Sequence, residues 1–243
     1  MLRKLTTAMV LMGAAGMATA AYVDVDPSNP SMPISNGPNQ TDITWTNTVA
    51  QFDPANYGGA ALASVHIVNI AASLGSSGGT VTCFIPDGTN ICTGHVDAGV
   101  TITLSGPSGS GISVPVTLSF PQFDYSLTGT GSSTAIPGGT QNGTGADLLF
   151  CTSAQPGCTV NAALVALFEG TGNVSFSTLA DGTVSTQNDT GTAGANQPLS
   201  AGSTFRVRYD YVPIPPAQVP EPASIALMGL GLAGLGVWRR RKV

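Results

Sequence analysis

From Ile43 onward the chain alternates apolar and polar residues with a period of two. In "ISVPVTLSF", Ile112, Val114, Val116, Leu118 and Phe120 share one face, and Ser113, Pro115, Thr117 and Ser119 share the other. Such a segment is a strand with one buried side, and Pro115, which cannot donate to a ladder, places it at an edge or a bulge. "TFRVRYDYV" repeats the device, with Phe205, Val207, Tyr209 and Tyr211 inward and Arg206, Arg208 and Asp210 toward water. The same alternation runs through Ile43, Trp45 and Val49, through Val100, Ile102 and Leu104, and through Val174 and Phe176. "ALASVHIVNIAASL" and "NAALVALFEG" are continuous apolar runs that predict fully buried strands, the second being also compatible with a short helix.

Clusters of Gly, Ser, Thr and Asn separate these segments. About eight or nine short strands bounded by turn signals, with almost no helical period, predict an all-β fold, an antiparallel β-sandwich or jelly roll. Residues 129–145 and 185–197 are the expected mobile loops. Residues 22–40, rich in Pro, Asn and Ser, are expected to form an extended arm or edge segment. The β domain is expected to occupy residues 41–212.

The two ends follow different rules. Residues 1–21 carry Arg3 and Lys4, a short apolar stretch and Ala18-Thr19-Ala20, the three parts of a secretory signal peptide cut after Ala20 or Ala21. Between the terminal signals the basic residues are Arg206 and Arg208, set against eleven aspartates and Glu169. A body so acidic and free of lysine repels nucleic acid and anionic headgroups, which excludes nucleic-acid binding.

Cys83, Cys92, Cys151 and Cys158 are an even set in an exported chain and predict two disulfides, with three possible connectivities. "CFIPDGTNIC" and "CTSAQPGC" each hold a turn-forming Pro and Gly, which favours the two local pairs. Intervals of eight and six residues do not match zinc spacing.

Residues 213–222 are a proline-rich, extended linker. Residues 223–243 are expected to form a transmembrane helix with a basic tail. The uncharged run from Pro222 to Trp238 would span about 25 Å as a helix, the lower limit for a bilayer core. Arg239, Arg240, Arg241 and Lys242 follow, so the basic end is expected inside and the β domain outside. Val219-Pro220-Glu221-Pro222, the short Gly/Leu/Ala-rich span and the basic cluster together resemble the PEP-CTERM sorting signal of Gram-negative bacteria. That resemblance implies recognition by exosortase at the inner membrane, cleavage near the Pro-Glu-Pro, and delivery to the cell surface or extracellular matrix, usually in bacteria that make exopolysaccharide. In the body, "VAQFDPANYGGAALASVHIVNI" and "FRVRYDYVP" are similar to the choice-of-anchor E domain, over residues 45–212. That resemblance implies a surface domain with no established enzymatic activity.

Candidate chemistry is sparse. Gly75-Ser76-Ser77-Gly78-Gly79 fits G-x-S-x-G, but a strand-like "TVTCFIP" follows where a nucleophile elbow needs a helix, so a glycine-rich hairpin loop is the expectation. His66 lies in an apolar strand and reads as a satisfied core or edge residue. His95, beside Asp97, is the candidate base for a Ser, His and Asp arrangement. No pair of carboxylates stands out, and most aspartates occupy turn contexts. "DVDPSN" and "FDPAN" offer oxygen ligands for a structural calcium without matching a known calcium loop. The sequence therefore predicts no catalytic residues, no metal centre and no required cofactor. It predicts an exported, non-enzymatic surface protein with a structural role in envelope or exopolysaccharide matrix. The alternatives are a glycan-binding, calcium-assisted matrix module and an extracellular hydrolase.

Overall fold

A computed structural model describes residues 21–25, 32–34 and 43–214, with Tyr22 the one described side chain of the first two segments. The expected signal peptide and the expected membrane helix lie outside the described residues. Among the described residues no helix is long and apolar enough to cross a membrane.

The fold is all-β. Among the described residues fifteen strands follow one another as β1 (Ala21–Val25), β2 (Met32–Ile34), β3 (Ile43–Ala50), β4 (Ala61–Ser76), β5 (Gly79–Ile85), β6 (Ile91–Ser105), β7 (Ser113–Ser119) and β8 (Phe123–Thr128), then β9 (Ser133–Ile136), β10 (Gly139–Thr144), β11 (Leu148–Cys151), β12 (Thr159–Val160), β13 (Asn173–Thr190), β14 (Thr192–Asn196) and β15 (Leu199–Val212). A seven-stranded sheet has the order β1-β15-β4-β11-β12, with β10 also on β4 and β2 also on β15. A five-stranded sheet has the order β3-β13-β6-β7, with β8 also on β6. A three-stranded sheet, β14-β5-β9, completes the set. Pairing between strands is antiparallel except between β11 and β12.

The two large sheets pack face to face because each presents one apolar side. Val65, Ile67, Phe205, Val207 and Tyr209 from the seven-stranded sheet meet Val49, Leu104, Val114, Val174 and Phe176 from the other. A second cluster continues along the same interface with Leu74, Leu199 and Ala201 against Trp45, Val100, Ile102 and Val116. The alternation read in Ile112 to Leu118 holds residue by residue, and Pro115 lies on β7, the terminal strand of its sheet. Tyr209 is 1% exposed. Its hydroxyl donates to the Ala50 carbonyl at 2.7 Å, tying the two sheets together, and burial pushes the phenol well above its ordinary pKa.

The long strand β4 corrects one expectation. Its apolar run predicts burial on both sides, yet one face is inward throughout: Leu62, Val65, Ile67, Ile70, Ala72 and Leu74. Two bulges keep it so. Opposite β15 the register slips once between Leu62 and Ser64 and again between Val68 and Ala71, each time with an extra residue on β4. Each extra residue moves the inward face by one position, which hides the period of two from the sequence. At the second bulge Asn69 takes φ 54°, and its N–H donates to Asp147 Oδ1 at 3.0 Å. Asparagine tolerates this left-handed conformation, whereas a β-branched residue does not.

Residues 162–167, in the second apolar run, form the helix α1 (Ala162–Leu167) rather than a strand. Asn161 caps it by accepting from the Leu164 N–H at 2.9 Å, and Leu164, Val165 and Phe168 enter the core. The two segments expected as mobile loops are largely strand: β9 and β10 lie within 129–145, and β13 runs to Thr190 with β14 following. Ladder hydrogen bonds need no apolar side chains, so glycine- and hydroxyl-rich strands leave no period-two signal. Likewise, β1 and β2 within the N-terminal segment add to the edge of β15.

Three buried polar side chains lie between the two large apolar clusters. Asn47 separates Val49 from Trp45 on β3, Thr178 separates Phe176 from Ala180 on β13, and Ser203 separates Phe205 from Ala201 on β15. Trp45 Nε1, Asn47 Nδ2 and Thr178 Oγ1 have no hydrogen-bond partner among the described residues. Replacing a lone buried hydroxyl with a methyl of similar shape removes a desolvation cost. Thr178→Val is therefore expected to raise unfolding free energy by up to about 1 kcal/mol in urea titration. At the β4 bulge, Asn69→Gly is expected to be nearly neutral and Asn69→Val to cost about 1–3 kcal/mol by the same measurement. Equal effects from the two would show that the bulge conformation carries no such demand.

Candidate functional site

The four cysteines form two local disulfides. Cys83–Cys92 joins β5 to β6 with Cα atoms 5.8 Å apart, and Cys151–Cys158 closes the turn after β11 with Cα atoms 6.0 Å apart. The first bridge belongs to a small cluster with Val81, Val96, Tyr125, Leu127 and Ile136, which roots the three-stranded sheet on the ends of β6 and β8. Within its loop, Asp87 accepts hydrogen bonds from the Thr89 hydroxyl at 2.6 Å, the Thr89 N–H at 2.8 Å and the Ile91 N–H at 2.9 Å. Those donors hold its carboxyl below the usual range, the Thr89 hydroxyl most of all.

Asp53, in "FDPAN", is similarly engaged. It caps a 3-10 turn (Pro54–Tyr57), accepting from the Ala55 N–H at 2.9 Å and the Asn56 side chain at 3.0 Å. Among the described residues no three His, Cys, Asp or Glu side chains converge to hold a metal ion. "DVDPSN" lies largely outside the described residues.

Both histidines sit on outward faces of strands. His95 Nε2 approaches Asp97 Oδ2 at 3.5 Å, two residues along β6, and no serine hydroxyl among the described residues bonds to it. The other histidine makes a grouping that local sequence does not reveal. β15 lies against β4 so that Asp210 stands opposite Ser64 and Arg208 opposite His66. Ser64 Oγ donates to Asp210 Oδ2 at 2.8 Å, and His66 Nε2 meets the same oxygen at 2.6 Å. Serine, histidine and aspartate thus converge, but not as a proton relay. A relay needs serine on one ring nitrogen and carboxylate on the other. Here Ser64, at 3.4 Å, and Asp210 share Nε2, and the hydroxyl proton goes to the carboxylate. Ser64 is also 3% exposed. The arrangement fastens β4 to β15, and Arg208, stacked 4.5 Å over the Tyr22 ring, extends the fastening to β1.

The G-x-S-x-G segment spans the end of β4 and the start of β5. Gly78 turns the chain at φ 93° and Ser76 Oγ accepts from its N–H at 3.0 Å. β4 and β5 belong to different sheets, so this is a crossover rather than the expected hairpin loop. A strand follows Ser77, and no helix holds it exposed.

Two depressions mark the outer faces. The larger, about 580 Å³, lies on the seven-stranded sheet over small residues such as Ala71, Ser73 and Gly202, with no charged or aromatic side chain in its lining. The smaller, about 310 Å³, lies on the five-stranded sheet around Gly99, between Asp97 and Asp181. Around it the outer face is built of hydroxyl rows. Thr46, Ser177, Ser105 and Ser113 stand opposite one another across four strands. Asp181, Thr101 and Thr117 form another row, and Thr183, Gly99 and Ser119 the next. The sequence shows each outward Ser or Thr singly, but only the register assembles the rows.

Val219, Pro220, Glu221 and Pro222, and the basic residues 239–242, lie outside the described residues. β15 leads toward them with Val212 and Ile214 exposed. Residues 218–242 match the PEP-CTERM protein-sorting motif. No curated protein matches the chain. Solved structures that it resembles weakly are those of two strains of infectious bursal disease virus. The Gx strain shows 11% identity over 96% of this chain and 52% of that chain at TM-score 0.21. The Gt strain shows 10% identity over 96% and 54% at TM-score 0.19. The chain spans about half the length of those viral chains, and at these scores the likeness carries no argument about fold or function.

The carboxyl of Asp87 supplies a pH test. Its folded pKa is lowered, so its contribution to loop order is complete above the ordinary carboxylate range and is lost as pH falls below about 4. In an NMR acid titration the Thr89 and Ile91 amide signals are expected to move over that window and to lose this dependence in Asp87→Asn. Movement of those amides in the variant as in the parent would remove Asp87 as its cause.

Proposed function

We propose that the chain is exported by the general secretory route, held at the inner membrane by its C-terminal span, and cleaved by an exosortase near Pro220–Pro222. The β domain then serves as a structural, non-enzymatic component of the envelope or exopolysaccharide matrix of a Gram-negative bacterium. The single observation that carries this reading is the motif match over residues 218–242, which contains, in order, the Pro-Glu-Pro, the uncharged span and the basic cluster.

The domain itself suits deployment outside the cell. Two disulfides stabilise loops by roughly 2–3 kcal/mol each where the compartment is oxidising. The two segments that resemble the choice-of-anchor E surface domain lie together, with Phe52 packed 6.1 Å from the ring of Tyr209 and 5.3 Å from that of Tyr211. Neither histidine group prepares a serine for attack, which supports a binding or structural role over hydrolysis.

Intact mass spectrometry of the protein from culture supernatant and from membranes of the native host tests the proposal. The expected species starts near Tyr22, ends between Pro220 and Pro222, is released from the membrane, and is lighter by two hydrogens for each disulfide. Glu221→Ala is expected to leave uncut, membrane-bound chain. A parent protein that remains in the membrane and ends at Val243 would make the tail a permanent anchor and overturn the cleavage.

A further inference from the structure

We propose that the outer face of the five-stranded sheet, centred on the depression at Gly99, binds a neutral polysaccharide. The inference rests on the envelope reading above, because that is where such a chain would be met, and it names the partner the domain engages there.

The face is chemically selective. Same-side residues stand about 6.8 Å apart along a strand and about 4.8 Å apart between strands, so the rows form a regular array of hydroxyl groups. Each Ser or Thr hydroxyl can both donate and accept, which matches the hydroxyls of a sugar. Within the array, Thr101 and Thr117 Oγ1 lie 3.2 Å apart. Leu179 and Pro115 are the apolar side chains of the row that runs from Thr44 through Leu179 and Thr103 to Pro115. A face this poor in apolar area lacks the core that a protein interface requires. The two arginines of the described residues belong to the other sheet, and His95, on this face, lies 3.5 Å from Asp97, so phosphate and nucleic acid find no free counter-charge here.

Gly99 gives the array a groove. It lies between Thr183 and Ser119 without a side chain of its own, and the resulting depression of about 310 Å³ falls at the lower end of small-ligand sites. Asp97 and Asp181 flank it. Carboxylates are acceptors only, and Asp181, together with the oxygen of Asp97 that does not face His95, can take hydrogen bonds from neighbouring sugar hydroxyls, the stronger charge-assisted kind. The same two charges, on an acidic body, repel polyuronates. The groove therefore selects a polyhydroxylated chain that carries no negative charge.

The test is affinity electrophoresis of the full-length chain in a polyoxyethylene detergent, through native gels containing galactomannan, hydroxyethylcellulose or alginate. Retardation is expected in a neutral gel and not in alginate. Asp97→Asn and Asp181→Asn, both at exposed positions, are each expected to weaken the apparent affinity about tenfold. Thr101→Val should weaken it as well, while Asp124→Asn, on the same sheet outside the groove, should not. Gly99→Ala is avoided because its Cβ would come within 2.9 Å of the Leu118 carbonyl oxygen. No retardation in either neutral gel, equal retardation in alginate, or retardation that survives both aspartate variants would overturn the proposal. None of these outcomes depends on export or cleavage, so the sorting proposal would stand or fall separately.

Discussion

Everything in this domain depends on keeping one face of each long strand between two sheets. The β4–β15 pair, at the middle of the seven-stranded sheet, meets that demand under the most difficult conditions. A strand of sixteen residues must twist, and its sequence does not alternate from end to end. Two bulges absorb the mismatch, so that Leu62, Val65, Ile67, Ile70, Ala72 and Leu74 all reach the core. The same register brings Asp210 opposite Ser64, and Tyr209 of β15 donates its hydroxyl across the two large sheets to the Ala50 carbonyl.

Polar groups divide the work between inside and outside. Inside, Asn47, Thr178 and Ser203 form a seam between two apolar clusters, an arrangement that costs stability wherever a donor or acceptor lacks a partner. Outside, the aspartates whose side-chain contacts are clearest serve local geometry: Asp53 caps a turn, Asp87 organises the disulfide loop and Asp147 holds a bulge. Asp97 and Asp181 are different, since they border a depression rather than a turn. The Ser64, His66 and Asp210 group shows the reverse case, in which residue types associated with catalysis converge in a geometry that serves strand attachment.

The fold was legible wherever apolar residues alternate in single register, as in Ile112 to Leu118 and Phe205 to Tyr211, because side-chain direction follows directly from strand geometry. It was hidden where bulges reset the phase, as in β4, and where strands carry Gly, Thr, Gln and Asn in place of apolar residues, as in β10. The second apolar run was ambiguous because short strands and short helices share composition. Asn161, able to cap a helix, was the local clue that α1 would form. The crossover at Gly78 could not be read, since a turn signal does not say which sheet the next strand joins.

By itself the sequence determined the all-β class, the faces of the regular strands, the turns that close both disulfides, and the sorting motif at residues 218–242. These are local properties: a period of two, a Pro and Gly between cysteines, and contiguous residues read in order. Tertiary structure decided which histidine meets which aspartate, where the bulges fall, and that hydroxyls from four strands share one face around Gly99. Those depend on register between segments distant in the chain, and a one-residue slip moves every side chain to the opposite face.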